Sequence, residues 1–333
     1  MADQLRFGVI GAGGFALTHA IPAMLKAENC RVQAVMVRDR KRAEEIADQF
    51  GVPEAYASVE ELVASPQVDG VYICSPDACH RDHALLAVMR GKHILCEKPL
   101  APTVRECREM IGAARAREVK LAPAFMMRFH PVMAHVKKEI KRGAVGVIKM
   151  MRITCEFDYP PCGNWRQEEG GALFDLGSHA VDLVRFLCQQ GIMGVNACIG
   201  NKRHRYPAND FAHLLLRFNF NDASAAVNVS FAAESYRSEL EVFGTNGVIR
   251  GENVISRDVE PEVSIIREGG RRIERIEFPE GARNRYTRQF ESFASSVLND
   301  DYSPVNDSDG LAAIAILEAS ITSSQRGGRL ATV

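Results

Sequence analysis

Residues 5–16 read LRFGVIGAGGFA, an apolar run that stops at Gly11, Gly13 and Gly14. Such a run predicts a buried strand, with a helix over 14–27 starting directly behind it. Glycines so closely spaced allow a very tight turn and let a backbone approach a ligand closely. The helix N-terminus behind the turn favours an anion, so a pyrophosphate can rest there. Gly11-x-Gly13-Gly14-x-Ala16, with Phe15 inside it, is a variant of the dinucleotide fingerprint in which Ala16 takes the last place. On its own the motif is weak, and a tight turn without ligand would explain it. It gains weight from the strand–helix repeats downstream.

Strand-like runs recur at 31–37, 68–74, 93–97 and 119–125, separated by helical patterns at 40–50, 58–65, 80–91 and 103–117. Apolar strands alternating with helices predict a parallel sheet covered on both faces. From about residue 143 the grammar changes. VIKMMRITCEFDY, VNACIGNK, FAHLLLRFNF, ASAAVNVSFAA, SELEVFGTNGVIRG and VSIIREG read as successive strands, and TNG (245–247) as a hairpin turn. Helices are expected at 131–142, 178–190, 285–299 and 308–325. The 333 residues are roughly twice a typical domain. The predicted fold class is α/β, with a Rossmann dinucleotide-binding domain over 1–122. A second α+β domain over 123–333 carries a large, mainly antiparallel open sheet. Substrate is expected at the carboxyl ends of the first domain's strands.

The composition narrows the partners. A net charge of −1 and a pI near 6.8 supply no bulk attraction to nucleic acid or to an anionic membrane. The N-terminus enters a strand without a basic region and long apolar core, which argues against a secretory signal. No stretch approaches the roughly 18 apolar residues of a membrane span. Nine scattered cysteines without a C-x-x-C pair suit a reducing cytoplasm. CHRDH (79–83) is the one dense Cys/His cluster, and with no second cluster to complete a site no metal is expected.

The end of the second strand bears on which dinucleotide binds. An acid there would hold the ribose hydroxyls of NAD, and an arginine the 2′-phosphate of NADP. The sequence is AVMVRDRKRAEE: Val37 ends the strand, and Arg38, Arg40, Lys41 and Arg42 follow. NADP is favoured, and NAD is the alternative if Asp39 is the reader. Further on, Asp175, His179 and Asp182 fall on one face of a helical stretch, EGGALFDLGSHAVDLVRFLC. Periodicity alone reads them as the wet side of an amphipathic helix. Gly177 weakens that reading, because glycine inside a helix costs about 1 kcal/mol relative to alanine and often marks a close backbone approach. HILCEKPL (93–100) poses a related question, since Glu97 and Lys98 stand charged at the end of a core strand, where unpaired burial is costly.

Taken together, GAGGFA, SPDACHRDHALLAVMRGKHILCEKPLA, MRFHPV, NWR, GGALFDLGSHAVDL, LEVFGTNGVIRGE and DGLAAIAILEASITSSQRGG resemble the glucose–fructose oxidoreductase/inositol dehydrogenase (Gfo/Idh/MocA) family, in its order and over essentially the whole chain. The resemblance implies that Glu97-Lys98-Pro99 is the family's E-K-P motif, whose lysine reaches substrate and nicotinamide and whose Lys–Pro bond is often cis. It implies that Asp175 and His179 are the D-x-x-x-H pair, with His179 exchanging the substrate proton. It places Ser75, Pro76 and His80 on the cofactor side, and Trp165, Arg166 and Tyr286 at the nicotinamide end. Glu169 replaces the first glycine of the usual triplet, the loop from Trp165 to Gly170 is short, and Met126 and Asp77 stand where the family often has asparagines. These departures bear on substrate recognition.

The resulting expectation is an enzyme moving a hydride between nicotinamide and a secondary alcohol or ketone of a polyhydroxylated small molecule: a sugar, cyclitol or derivative. A glycosidase using the dinucleotide transiently and a cofactor-sensing regulator are the alternatives. Self-association as a homodimer or homotetramer is expected through an uncovered apolar face of the second domain's sheet.

Overall fold

The computed structural model describes residues 4–163, 165–220, 222–255, 261–267, 270, 272–276 and 284–333. Six strands, β1 (Leu5–Ile10), β2 (Cys30–Met36), β3 (Glu54–Tyr56), β4 (Gly70–Ile73), β5 (His93–Cys96) and β6 (Leu121–Pro123), pair in parallel in the order β3-β2-β1-β4-β5-β6. This is the doubly wound order of a dinucleotide-binding domain, with its reversal between β1 and β4. β3 escapes a reading by apolar runs because its three residues are all half-buried at the sheet edge.

The crossover helices begin where the sequence supplies caps. Asp39, Ser58 and Thr103 each accept a backbone N–H from the first turn of helices Arg40–Phe50, Val59–Ala64 and Val104–Ala116.

Two compact units result: the chain up to Phe129 together with Asn284–Ile314, and the chain from His130 together with Ala315–Val333. The expected division at 122/123 assigned all later residues to the second domain, whereas Asn284–Ile314 packs with the first. Helix Arg285–Leu298 lays Phe290 edge-on against Phe7 and Tyr72, at ring distances of 5.8 and 5.1 Å. The buried Arg128 guanidinium also grips both carboxylate oxygens of Asp309 at 2.9 Å.

In the second unit β7 (Ile148–Asp158), β8 (Ile192–Gly200), β9 (Phe211–Phe218), β10 (Ser224–Ser230), β11 (Ala232–Gly244), β12 (Gly247–Glu252), β13 (Glu262–Arg267), β14 (Arg272–Ile276) and β15 (Ala331–Thr332) form one sheet in the order β14-β13-β12-β11-β7-β10-β9-β8-β15. Every pair is antiparallel except β7 with β10. The hairpin expected at 245–247 joins β11 to β12 through Thr245 and Asn246. Ile153, Val227, Leu214 and Leu240 are buried on one face, and helix Ser178–Cys188 packs on β7 and β10.

The other face is mixed: Met150, Phe243, Val248, Ile266 and Ile273 form one cross-strand apolar row, with charged residues beside it. Glu241 there accepts from both Arg152 and Arg250, at 3.3 and 3.1 Å, while Arg152 also covers the Phe243 ring at 5.1 Å. Among the large apolar residues in these strands, Met193, Leu215, Tyr236 and Ile273 are exposed.

Candidate functional site

The glycine loop follows β1 directly. Gly11 has φ +81°, and a Cβ there would lie 2.7 Å from the Ser75 nitrogen, so only glycine fits. Gly13 and Gly14 are different. A Cβ on Gly13 would meet only the Gly11 carbonyl at 3.9 Å, and one on Gly14 would meet nothing within 4 Å. The fold itself does not require these two glycines. Their bare, exposed backbone at the start of a helix fits a pyrophosphate.

Behind the loop the helix opens as a wider π-type turn, Ala16–Ala20. This turn stacks His19 on Phe15, ring centroids 5.1 Å apart, and Tyr286 meets both rings edge-on at 5.6–5.7 Å. Phe15 and Tyr286, far apart in sequence, are thus neighbours beside the loop. His19 completes their cluster and was missed by the sequence reading, although its i+4 spacing from Phe15 could have shown it.

Strand β2 ends at Met36, leaving Val37 half-buried and Arg38 exposed. The Asp39 carboxylate accepts from Arg42 N at 2.9 Å and caps the next helix. Arg40 pairs with Glu61 at 2.9 Å and Arg42 with Glu45 at 3.0 Å. Of these basic side chains Arg38 has no ion-pair partner among the described residues.

At the end of β4, Ser75 Oγ lies 2.9 Å from His83 Nδ1, and the His80 ring spans the carbonyls of Ser75 and Pro99, 2.9 Å from each. Burial lowers the pKa of His80 below its ordinary value despite those carbonyls. Pro76 leads into the turn Asp77–Cys79. One imidazole therefore links the segment after β4 to the cis Lys98–Pro99 bond after β5. Glu97 accepts from the Tyr72 phenol at 2.5 Å and from Lys98 N at 3.2 Å, which answers how a carboxylate is held at the end of a core strand. Burial, reinforced by the same carboxylate, pushes the Cys74 and Cys96 thiols far up, so both remain un-ionised.

In the second unit Asp175 lies in another π-type turn, Leu173–Gly177, and His179 in the first turn of the helix that follows. The stripe is largely shut off from water: His179 is 7% exposed and Asp182 1%, while Asp175 is half-buried. Nearly every residue of this helix is buried, so its polar groups are held inside the unit. Arg166 Nε donates to Asp175 Oδ1 at 3.1 Å, joining a residue expected near the cofactor to one expected in catalysis. Trp165 begins the short helix Trp165–Glu168; its side chain lies outside the described residues.

Gly170 and Gly171 both have positive φ (+55° and +64°), and a Cβ on Gly171 would collide with the Asn209 backbone. Glu169 in place of a glycine leaves this turn intact. Gly177, by contrast, would admit a Cβ at ordinary contact distances of 3.5 Å, which removes close packing as its reason.

Residues 5–125 match the family model described as an oxidoreductase family with an NAD-binding Rossmann fold, and residues 133–250 match the GFO/IDH/MocA C-terminal domain. An uncharacterized oxidoreductase of Synechocystis sp. is 31% identical over 265 residues, covering 74% of this chain and 71% of that protein. Myo-inositol 2-dehydrogenase of Thermotoga maritima is 27% identical over 318 residues, 94% of each. Among solved structures, the 3-ketoreductase KijD10 of Actinomadura kijaniata, in complex with TDP-benzene and NADP, superposes with a TM-score of 0.84 at 25% identity, covering 96% of this chain and 98% of that one. Matched in both of its units, the chain belongs to the Gfo/Idh/MocA family of NAD(P)-dependent oxidoreductases and acts on CH–OH groups.

Proposed function

We propose that the protein transfers a hydride between NADP and a secondary alcohol or ketone of a sugar, cyclitol or derivative, with Lys98, Asp175 and His179 as its catalytic residues. The observation that carries this reading is the buried His179 imidazole, on a helix that otherwise reads as core, one turn after the half-buried Asp175 that Arg166 holds. Polar groups kept in such a place need a function or a partner.

The nicotinamide, when bound, supplies the hydride acceptor or donor. The chain's own residues handle the proton and the oxygen. His179 takes the hydroxyl proton as the carbonyl forms and returns it in the reverse direction. Asp175, held by Arg166, orients that ring or a substrate hydroxyl. Lys98 stabilises negative charge on the reacting oxygen. Gly11, Gly13, Gly14 and Ala16 seat the pyrophosphate, and Val37, Arg38 and Arg42 border the adenosine end. Phe15, Ser75, Pro76, His80, Glu97, Trp165, Arg166 and Tyr286 complete the cofactor's surroundings.

The preference for NADP is supported by Arg38, which stands free to meet a 2′-phosphate, and by the engagement of Asp39 as a helix cap. Nine free cysteines, five of them buried, support a reducing cytoplasmic setting. Among the described residues no helix is long and apolar enough to cross a membrane. The dehydrogenase and the reductase among the relatives favour neither the glycosidase nor the regulator.

A panel of free sugars, polyols and cyclitols, followed by nicotinamide absorbance, tests the reading. Net reduction of NADP by one of them is expected. Hydrolysis of a glycoside without net reduction would overturn it.

A further inference from the structure

We propose that the Tyr206 hydroxyl binds a substrate hydroxyl group and sets which position of a polyol the enzyme accepts; the proposal rests on the polyol-oxidoreductase function. Tyr206 is 7% exposed, and its hydroxyl oxygen is buried without a hydrogen-bond partner among the described residues. A buried, unsatisfied hydroxyl is costly and calls for a reason.

The loop around it is not loosely built. The Asp210 carboxylate accepts from the backbone nitrogens of Lys202, Arg203 and His204 at 2.8–2.9 Å. Asn201 Nδ2 donates to the carbonyls of Tyr206 and Ala208 at 2.7 and 2.9 Å. The His204 ring stacks on Tyr206 with centroids 5.4 Å apart, and its Nε2 is 3.2 Å from Asp158 Oδ1 and 3.0 Å from the Phe231 carbonyl. A phenol fixed so thoroughly cannot swing to find a partner within its own loop.

The loop is also bound to the segment that carries Arg166 and Asp175. Ala208 N donates to the Gln167 carbonyl at 3.0 Å, Asn209 Nδ2 to the Gly170 carbonyl at 2.8 Å, and Leu173 N to Asn209 Oδ1 at 2.9 Å. Tyr159, adjacent to Asp158, stands within the electrostatic reach of Cys162, Arg166 and Asp175, and Tyr206 within that of Tyr159 and Cys162. Burial, reinforced by Asp210 and Tyr159, pushes the Tyr206 phenol up to about 12, so it keeps its proton at working pH and can donate. A neutral donor–acceptor suits an alcohol, and the Arg166 cation is already paired with Asp175.

The test is Tyr206→Phe, compared with the parent on the best polyol substrate and on its series of single-position deoxy analogues. A site built to bond a hydroxyl discriminates against the analogue lacking it. We expect kcat/KM for the polyol to fall about 10–100-fold while the ratio to one particular deoxy analogue collapses towards unity. Dinucleotide affinity stays unchanged, and the ligand-free melting temperature is unchanged or higher, since the variant deletes an unsatisfied group. Unchanged discrimination against every analogue would overturn the proposal. So would a lower ligand-free melting temperature with unchanged discrimination, which would assign the hydroxyl to an internal bond or a structural water.

Polyol binding by calorimetry separates the two readings. If no alcohol is oxidised but polyol binding still weakens in Tyr206→Phe, the oxidoreductase reading fails and Tyr206 stands. If polyol binding is absent in the parent or indifferent to the substitution, Tyr206 falls.

Discussion

The Tyr72 phenol, buried on β4, donates to Glu97 at the end of neighbouring β5 at 2.5 Å, one residue before Lys98. Burial and the Glu97 charge drive the phenol pKa far above its ordinary range, so the donor is permanent. Tyr72→Phe removes that bond to a carboxylate, and a loss of about 1.5–3 kcal/mol is expected. Because Glu97 also receives Lys98 N, turnover should fall along with stability. Denaturant unfolding with parallel steady-state rates checks this, and an unchanged midpoint would deny the bond its role.

For His179→Asn, turnover should drop about 10²–10⁴-fold, the usual contribution of a positioned acid–base group. Dinucleotide affinity, read by fluorescence titration, should be nearly unaffected. A variant keeping most of its activity would remove His179 from the chemistry.

Cofactor choice should depend on Arg38. A guanidinium pairs bidentately with phosphate, so Arg38→Ala should weaken NADPH binding far more than NADH binding. Equal losses would show that another group reads the ribose.

Acid should weaken the fold before the carboxylates titrate. Burial lowers the pKa of His80, His83 and His93 below 6.5. The unfolded chain therefore binds more protons than the folded one as pH falls below about 6.5, so stability is complete above that value and declines below it. The slope is up to about 1.4 kcal/mol per pH unit for the buried His80, with smaller shares from the half-buried His83 and His93. Unfolding midpoints across pH and an NMR titration of His80 test this. A His80 midpoint at or above 6.5 would contradict it.

We propose self-association through the nine-stranded sheet, whose uncovered face mixes apolar and charged residues. The Arg152–Glu241–Arg250 ladder offers complementary charge across a two-fold axis. Sedimentation at micromolar concentration should show a dimer or tetramer that weakens with added salt. A monomer would defeat the idea.

The features legible in the chain are those whose causes are local. Gly11 after an apolar run determines a strand and a tight turn, because backbone freedom and apolar period are properties of neighbouring residues. Alternating runs likewise determine a parallel sheet first and an antiparallel one second, and TNG marks a true hairpin. Tertiary structure decided the rest. Phe290 and Phe293 make a helix amphipathic in sequence, but only the faces of Phe7 and Tyr72 assign Asn284–Ile314 to the first unit. Asp175, His179 and Asp182 share one helical face by spacing, yet spacing cannot say whether that face meets water. In the folded unit His179 and Asp182 are buried and Asp175 is half-buried. Tyr72 reads as one more core residue of β4 until the parallel register places its phenol against Glu97, a partner 25 residues away. Period and propensity describe a residue's own element, whereas burial and partners depend on which distant element packs against it.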